Sequence, residues 1–232
     1  VVKVFRIVLA CTGPNQKSLN QHNIPHLVSY THSGSHAGYY PGAAMMAIKL
    51  IFAPGNGRIL GAQIVGEKGV DKRIDVIATA IRGNMTVYDL EELELAYAPP
   101  YSSAKDPVNI AGFVAANILK GDMDIATWEE FTKLKSNGAV PIDLRTKPEL
   151  RLSGRIGGAL HIPIDELRDR LHELDKNQEY NPFCAVGYRG YLGHRILVQH
   201  GYNSKNLSGG FRTYKIARKE PKQTLQNPES KI

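Results

Sequence analysis

The run CAVGYRG, residues 184–190, sets one cysteine at the head of a short loop that closes on Arg189. Only Ala185, Val186, Gly187 and Tyr188 intervene, so the main-chain N–H groups can turn inward on the sulfur and stabilise a thiolate or a sulfur-bearing anion. Downstream, RGYLGHRILVQHG carries Leu192, Ile196 and Leu197 at helical spacing and stops at Gly201, which puts Cys184 just before a helix N-terminus. The partial positive charge there, with Arg189 beside it, favours the thiolate. The alternative is a structural core cysteine, and it leaves the spacing to Gly187 and Arg189 without a purpose. A thiolate so placed attacks the outer sulfur of thiosulfate, a polysulfide or a persulfide, keeps one sulfur as Cys–S–SH and hands it to a second acceptor.

The segments around the loop alternate strand and helix over residues 124–219. Thr127 caps the helix WEEFTKL, with Glu130 three residues on as a capping box. AVPIDLR and GRIGGALHIPI read as strands, DELRDRLHEL as a helix, and the stretch ending at Phe183 as the strand feeding the loop. This pattern predicts a small, doubly wound α/β domain with a parallel sheet. Reactive groups of such sheets collect at the carboxyl ends of the strands, where Cys184 and the Asp143/Arg145 pair fall. Pro182, two residues before the cysteine, removes a ladder N–H and predicts a bend that would displace Cys184.

Residues 1–121 read as an α+β unit. VVKVFRIVLACTG opens as a strand, Leu27–Thr31 and AAMMAIKLIFA follow, and PGNGR turns the chain back into RILGAQIVG as an antiparallel partner. Val70, Ile74, Ile77, Ala78 and Ile81 then share one helical face that ends at Gly83, a shorter helix follows Thr86, and Asp106-Pro107 starts a third. Gly112, Ala115 and Ala116 on this last helix suit either a dimer interface or a buried core helix. The preceding loop, AYAPPYSSAKDP, is stiff enough to position functional groups. His32 and His36 read as loop or turn residues, and with no third ligand evident no metal is expected. Residues 220–232 read as a flexible tail.

Composition narrows the function classes. A chain of 232 residues can bury two cores, and 42% hydrophobic with 22% charged residues describes an ordinary soluble protein. No apolar stretch approaches the length of a membrane span, and the opening run lacks the basic region of a signal peptide. Cys11 and Cys184 lie in different units without disulfide or metal-ligand spacing, which fits the reducing cytoplasm. The net charge of +7 is scattered apart from Lys215, Arg218 and Lys219, so small anions or the phosphates of coenzyme A account for it better than nucleic acid.

The second unit resembles a rhodanese domain: PIDLR matches the family's Asp-x-Arg strand end, GRIGGALHIP its Gly-x-Ile-x-Gly-Ala run, CAVGYR its active-site loop and NLSGGF its closing segment. Arg155 stands where that motif usually has histidine. The resemblance implies that Cys184 carries a persulfide, that the amides from Ala185 to Arg189 cradle it, that Arg189 binds the anionic substrate, and that Asp143 and Arg145 are structural supports. The first unit is similar to the dimerisation domain of the flavin-dependent coenzyme A disulfide reductases of the pyridine nucleotide-disulfide oxidoreductase family, in particular those with a C-terminal rhodanese domain. TGPNQKSL, YTHSGSHAGYYPGA, LGAQIVG, GVDKRIDVIATAI and YAPPYSSAKDPVN carry this likeness.

It implies a homodimer in which Tyr39 and Tyr97 project into the partner's reductase site, where a phenol can donate a hydrogen bond to a leaving thiolate without carrying charge. The sequence has no Gly-x-Gly-x-x-Gly fingerprint, so the chain reads as a C-terminal portion that binds no cofactor alone. FAD, NAD(P)H and coenzyme A are implied for the complete protein, with flavin and nicotinamide domains upstream. Thiosulfate, polysulfide or coenzyme A persulfide are the implied sulfur substrates. Two alternatives stand beside this: a non-catalytic dimerisation module with a decayed rhodanese domain, and a rhodanese-fold phosphatase, which would want five residues between Cys184 and its arginine.

Overall fold

The computed structural model describes residues 1–218; Lys219 and the expected tail at 220–232 lie outside the described residues. The opening run is not one strand. Phe5 takes a left-handed φ of 52°, and β1 (Val2–Val4) folds back antiparallel on β2 (Ile7–Thr12). The short helix α1 (Gln16–Gln21) is an element the apolar pattern does not announce; Asn15 caps it, accepting from the Ser18 N–H. β3 (Leu27–Gly34), β4 (Met45–Phe52) and β5 (Ile59–Gly66) form a meander, and the sheet order β1-β2-β5-β4-β3 leaves β3 as an edge strand.

Alternation decides what this sheet buries. Met46, Ile48, Leu50 and Phe52 turn to the face on which α2 (Val70–Arg82) and α4 (Pro107–Leu119) pack, and α3 (Val87–Glu92) lies against α4. Gly112 permits that approach, since a Cβ there would stand 2.8 Å from the Leu90 Cβ. Helix α4 is a core helix on the face of Val108, Ala111 and Ala115. Its opposite stripe, Ile110, Val114 and Asn117, is half-buried and turned toward the second unit.

The second unit runs β6 (Ile125–Ala126), α5 (Trp128–Ser136), β7 (Val140–Asp143), α6 (Lys147–Ser153), β8 (Leu160–His161), β9 (Glu179–Phe183), α7 (Tyr188–Gln199), β10 (Asn203–Ser204), β11 (Asn206–Leu207) and α8 (Gly210–Ala217). Strands β10-β9-β7-β8 pair in parallel, and β6 pairs in parallel with β11. Two apolar clusters cover this parallel sheet: Ile142, Leu144, Ile196 and Leu197 beneath α7, and Phe131, Phe183, Phe211 and Tyr214 beneath α5 and α8.

Two expectations are corrected here. DELRDRLHEL is not an α-helix but two 3₁₀ turns, Ile164–Glu166 and Leu171–Glu173. At three residues per turn, positions three apart eclipse. The tighter winding thus delivers Ile164 with Leu167, and Leu171 with Leu174, to the α7-side cluster. The bend expected at Pro182 is also not there. Tyr180 O accepts from the Lys205 N–H on the β10 side (3.1 Å), and Phe183 O from the Leu144 N–H on the β7 side (2.9 Å). Alternation therefore turns the Pro182 nitrogen to the β10 side, beyond Ser204 where β10 ends, and the register Ile142↔Pro182, Asp143↔Phe183 continues unbroken.

Candidate functional site

Strand β9 ends at Phe183 and α7 begins at Tyr188, so Cys184–Gly187 form the turn at the carboxyl end of the parallel sheet. Gly187 takes φ 113°, a conformation that disfavours a side chain. That turn aims its N–H at Cys184 Sγ, 3.2 Å away. The cysteine itself is 1% exposed. The loop's other side rests on the start of α8: the Phe211 N–H donates to Cys184 O (2.8 Å) and the Arg212 N–H to Ala185 O (3.0 Å). Gly210, at φ 60°, lies so close that a Cβ would stand 2.5 Å from Cys184 O and 2.9 Å from Gly187 N. The Gly209-Gly210 pair is thus part of the cradle, a role its spacing in the sequence does not show. Val186 is half-buried and Tyr188 projects to solvent, 69% exposed.

Arg189 is not free to face the loop alone. Its Nη1 and Nη2 donate to the two Glu149 oxygens at 2.8 and 2.6 Å. Those bonds hold the Glu149 carboxyl down at about 2, and they raise the arginine, with a smaller contribution from the nearby Cys184 sulfur. Glu149 also accepts from the Thr146 N–H as a capping box at the head of α6. Sequence reasoning missed it, although Thr146-x-x-Glu149 with Pro148 is a helix-start signature. Asp143 and Arg145 form a buried pair, Nε to Oδ1 2.8 Å and Nη2 to Oδ2 2.6 Å, with Arg145 also donating to Ser153 Oγ and Gly154 O and lying 4.0 Å over the Phe211 ring. Arg155 is exposed.

In the first unit Tyr39 and Tyr97 come together, 3.5 Å between hydroxyl oxygens, and both are exposed. The hydrogen bond with Tyr97 raises the Tyr39 phenol above its ordinary value. Their two loops share one anchor. Arg73, 2% exposed, donates to both Asp106 oxygens, to Ser35 O and to Ser102 Oγ, while the Ala37 N–H donates to Ser102 O. Burial alone would raise Asp106, but hydrogen bonds from Arg73, Ser102 and the Val108 N–H outweigh it and hold the carboxyl below the usual range.

His32 is a further correction. It lies in β3 rather than a loop and shares a hydrogen bond with Thr213 Oγ1 (2.8 Å); burial, helped by the charge of Arg212, pushes its pKa down to about 4, so it is neutral. Beside it the Tyr30 N–H donates to Ser208 Oγ (3.0 Å). His36 does sit in the following loop, held between Ser35 Oγ and Pro41 O. The first sheet is antiparallel throughout, and the β7–α6 turn, Leu144-Arg145-Thr146, carries no glycine. Among the described residues no helix is long and apolar enough to cross a membrane.

Residues 1–107 match the model of the pyridine nucleotide-disulphide oxidoreductase dimerisation domain, and residues 127–217 that of the rhodanese-like domain. The chain is 51% identical to the reduced CoADR-RHD of Bacillus anthracis, with a TM-score of 0.89 over 91% of this chain and 38% of that one. It is 40% identical to a NAD-dependent persulfide reductase from A. fulgidus, with a TM-score of 0.81 over 90% of this chain and 37% of that one. The coenzyme A disulfide reductase of Staphylococcus haemolyticus is 41% identical over 118 residues, 51% of this chain and 26% of that protein. The chain therefore spans about a quarter of the length of the curated relatives it matches. It is built from a dimerisation domain of the pyridine nucleotide-disulphide oxidoreductase family followed by a rhodanese-like domain.

Proposed function

We propose that this chain is the dimerising and sulfur-handling part of a flavin-dependent coenzyme A disulfide or persulfide reductase of the cytoplasm, and that Cys184 relays sulfane sulfur. The thiolate attacks the outer sulfur of thiosulfate, the S–S bond electrons leave with sulfite, and Cys184 is left as a persulfide; an acceptor thiolate or cyanide then takes that outer sulfur and restores the thiolate. The observation that carries the reading is the Gly187 N–H aimed at Sγ at 3.2 Å from a loop at the start of α7. The four residues Ala185–Tyr188 make a loop short enough to suit a small sulfur anion, and Arg189, oriented by Glu149, supplies positive charge at the rim. In a homodimer Tyr39, hydrogen-bonded to Tyr97, would donate to the thiolate leaving a coenzyme A mixed disulfide in the partner's site. FAD would supply electrons from NAD(P)H in the complete protein, bound by residues outside this chain.

The test is thiocyanate formation from thiosulfate and cyanide by the chain and by Cys184→Ser. The serine variant is expected to be inactive, and mass spectrometry after polysulfide treatment to find one added sulfur on Cys184 only. Equal rates for the two proteins overturn the reading.

A further inference from the structure

Arg155, which replaces the usual histidine, and the basic cluster containing Lys215 and Arg218 take no part in the sulfur loop, yet the fold brings them to one surface. Arg155 lies with Lys147, Arg151 and His161 around a depression beside α6. It also lines a second depression with Lys135, Lys215 and Arg218. Lys215, Ser153 and Phe211 continue that one into a third, where Arg212 and Ile216 lie next to Ala185 of the sulfur loop. The three make one strip that ends at the flank of the loop. No carboxylate lines it, and among the described residues none of the lysines and arginines just named forms an ion pair. By contrast, the depression that holds Arg189 sets Asp165 and Asp169 among its arginines, so its charge is mixed.

Like charges left uncompensated on one face repel each other, and an anionic partner relieves that repulsion. The uncharged side chains of the strip indicate which anion. Leu152 is 89% exposed beside Arg151, and Ile216 is 64% exposed beside Lys215, so aliphatic anchors stand inside a charged rim, as in protein–protein contacts. Single-stranded nucleic acid would need open aromatic faces on which bases stack, and the aromatic residues of the strip, Phe211 and Tyr214, are each only 7% exposed.

We propose that this strip is a docking surface for an acidic protein segment that carries aliphatic side chains. Its carboxylates pair with Arg155, Lys215 and Arg218, and its apolar residues meet Leu152 and Ile216. The partner is thereby held beside Ala185 without displacing Arg189 from Glu149. The docking stands on charge and exposure, and so does not depend on what Cys184 does.

The experiment measures fluorescence anisotropy of a labelled peptide in which pairs of glutamates alternate with single leucines, against its glutamine counterpart. The chain is expected to bind the acidic peptide about tenfold or more tightly than the counterpart at about 50 mM salt, with the difference shrinking at about 500 mM. The triple variant Arg155→Glu, Lys215→Glu, Arg218→Glu should lose the difference. A control with the same net charge, Lys3→Glu, Lys17→Glu, Arg58→Glu in the first unit, should stay within about threefold of the parent. Circular dichroism verifies that both triples fold, and the double variant Leu152→Ser, Ile216→Ser, which leaves the charge untouched, should bind about fivefold more weakly. Equal binding of the two peptides, or an equal loss in both triples, overturns the proposal. Tighter binding of a short oligouridylate, or of vesicles containing phosphatidylserine, than of the acidic peptide assigns the strip to another class of partner and overturns it as well.

Discussion

Gly210→Ala puts the geometry of the sulfur loop under direct strain. At φ 60° an alanine carries a left-handed cost of about 1 kcal/mol. Its Cβ would also stand 2.5 Å from Cys184 O, and reaching the 3.4 Å of ordinary contact requires a shift of about 0.9 Å in backbone that Phe211 and Arg212 tie down. Overpacking of this kind adds about 1–3 kcal/mol, for a total near 2–4 kcal/mol. The outward route for the loop opens the Gly187 N–H to Sγ bond, and displacement of reacting groups by about 1 Å costs on the order of a hundredfold in rate. Gly201→Ala is the control: its φ is 81°, yet the nearest atom to a Cβ is Lys176 Nζ at 3.9 Å, so only the left-handed cost applies. Urea unfolding reads the stability difference and thiocyanate formation reads the transfer. If both variants lose the same stability and both retain full transfer, α8 does not support the loop and the cradle has been misassigned.

Glu149→Gln should flatten part of the acid limb of stability. The Glu149 carboxyl is depressed from 4.5 to about 2, so its stabilisation is complete above the unfolded value and is lost as pH falls from there. Because both partners are about a third exposed, about 1–2 kcal/mol is at stake, and urea midpoints between about pH 5 and 3 should fall less in the variant than in the parent. Asp106→Ala leaves Arg73 buried without its counter-charge and should cost about 3–5 kcal/mol in chemical denaturation; a loss below about 1 kcal/mol would show the pair to be dispensable. Tyr97→Phe should let the Tyr39 phenol fall back toward its ordinary pKa, seen as tyrosinate absorbance appearing at lower pH; an unshifted curve would mean the two hydroxyls do not share a bond in solution.

How far the sequence foretells this molecule depends on how local each contact is. Cys184, Gly187 and Arg189 fall within six residues, so their spacing alone describes the loop and its place before a helix. Period-two and helical patterns likewise announce β4, β5, α2 and α4. Glu149 is half-legible: its capping box marks α6, but nothing in that motif says that the carboxylate also reaches Arg189, forty positions away. The 165–174 segment misleads because Leu167, Leu171 and Leu174 suit an α-helix, while the same leucines reach the core from 3₁₀ turns. Tyr30 and His32 are illegible in any window. Their partners, Ser208 and Thr213, are 178 and 181 positions away, and the pairing exists only because the second unit sits against the edge of β3.

That seat has a consequence for dissecting the protein. β3 is eight residues long and has one open side, and the Ser208 hydroxyl caps its Tyr30 amide while Gly209 packs against the Tyr30 Cβ. An unprotected edge of that length is a template for strand addition from another molecule. A truncation that deletes the rhodanese half would uncover this border and invite self-association or precipitation during expression, so trimmed versions should carry a lysine or proline on the border if they are to stay dispersed.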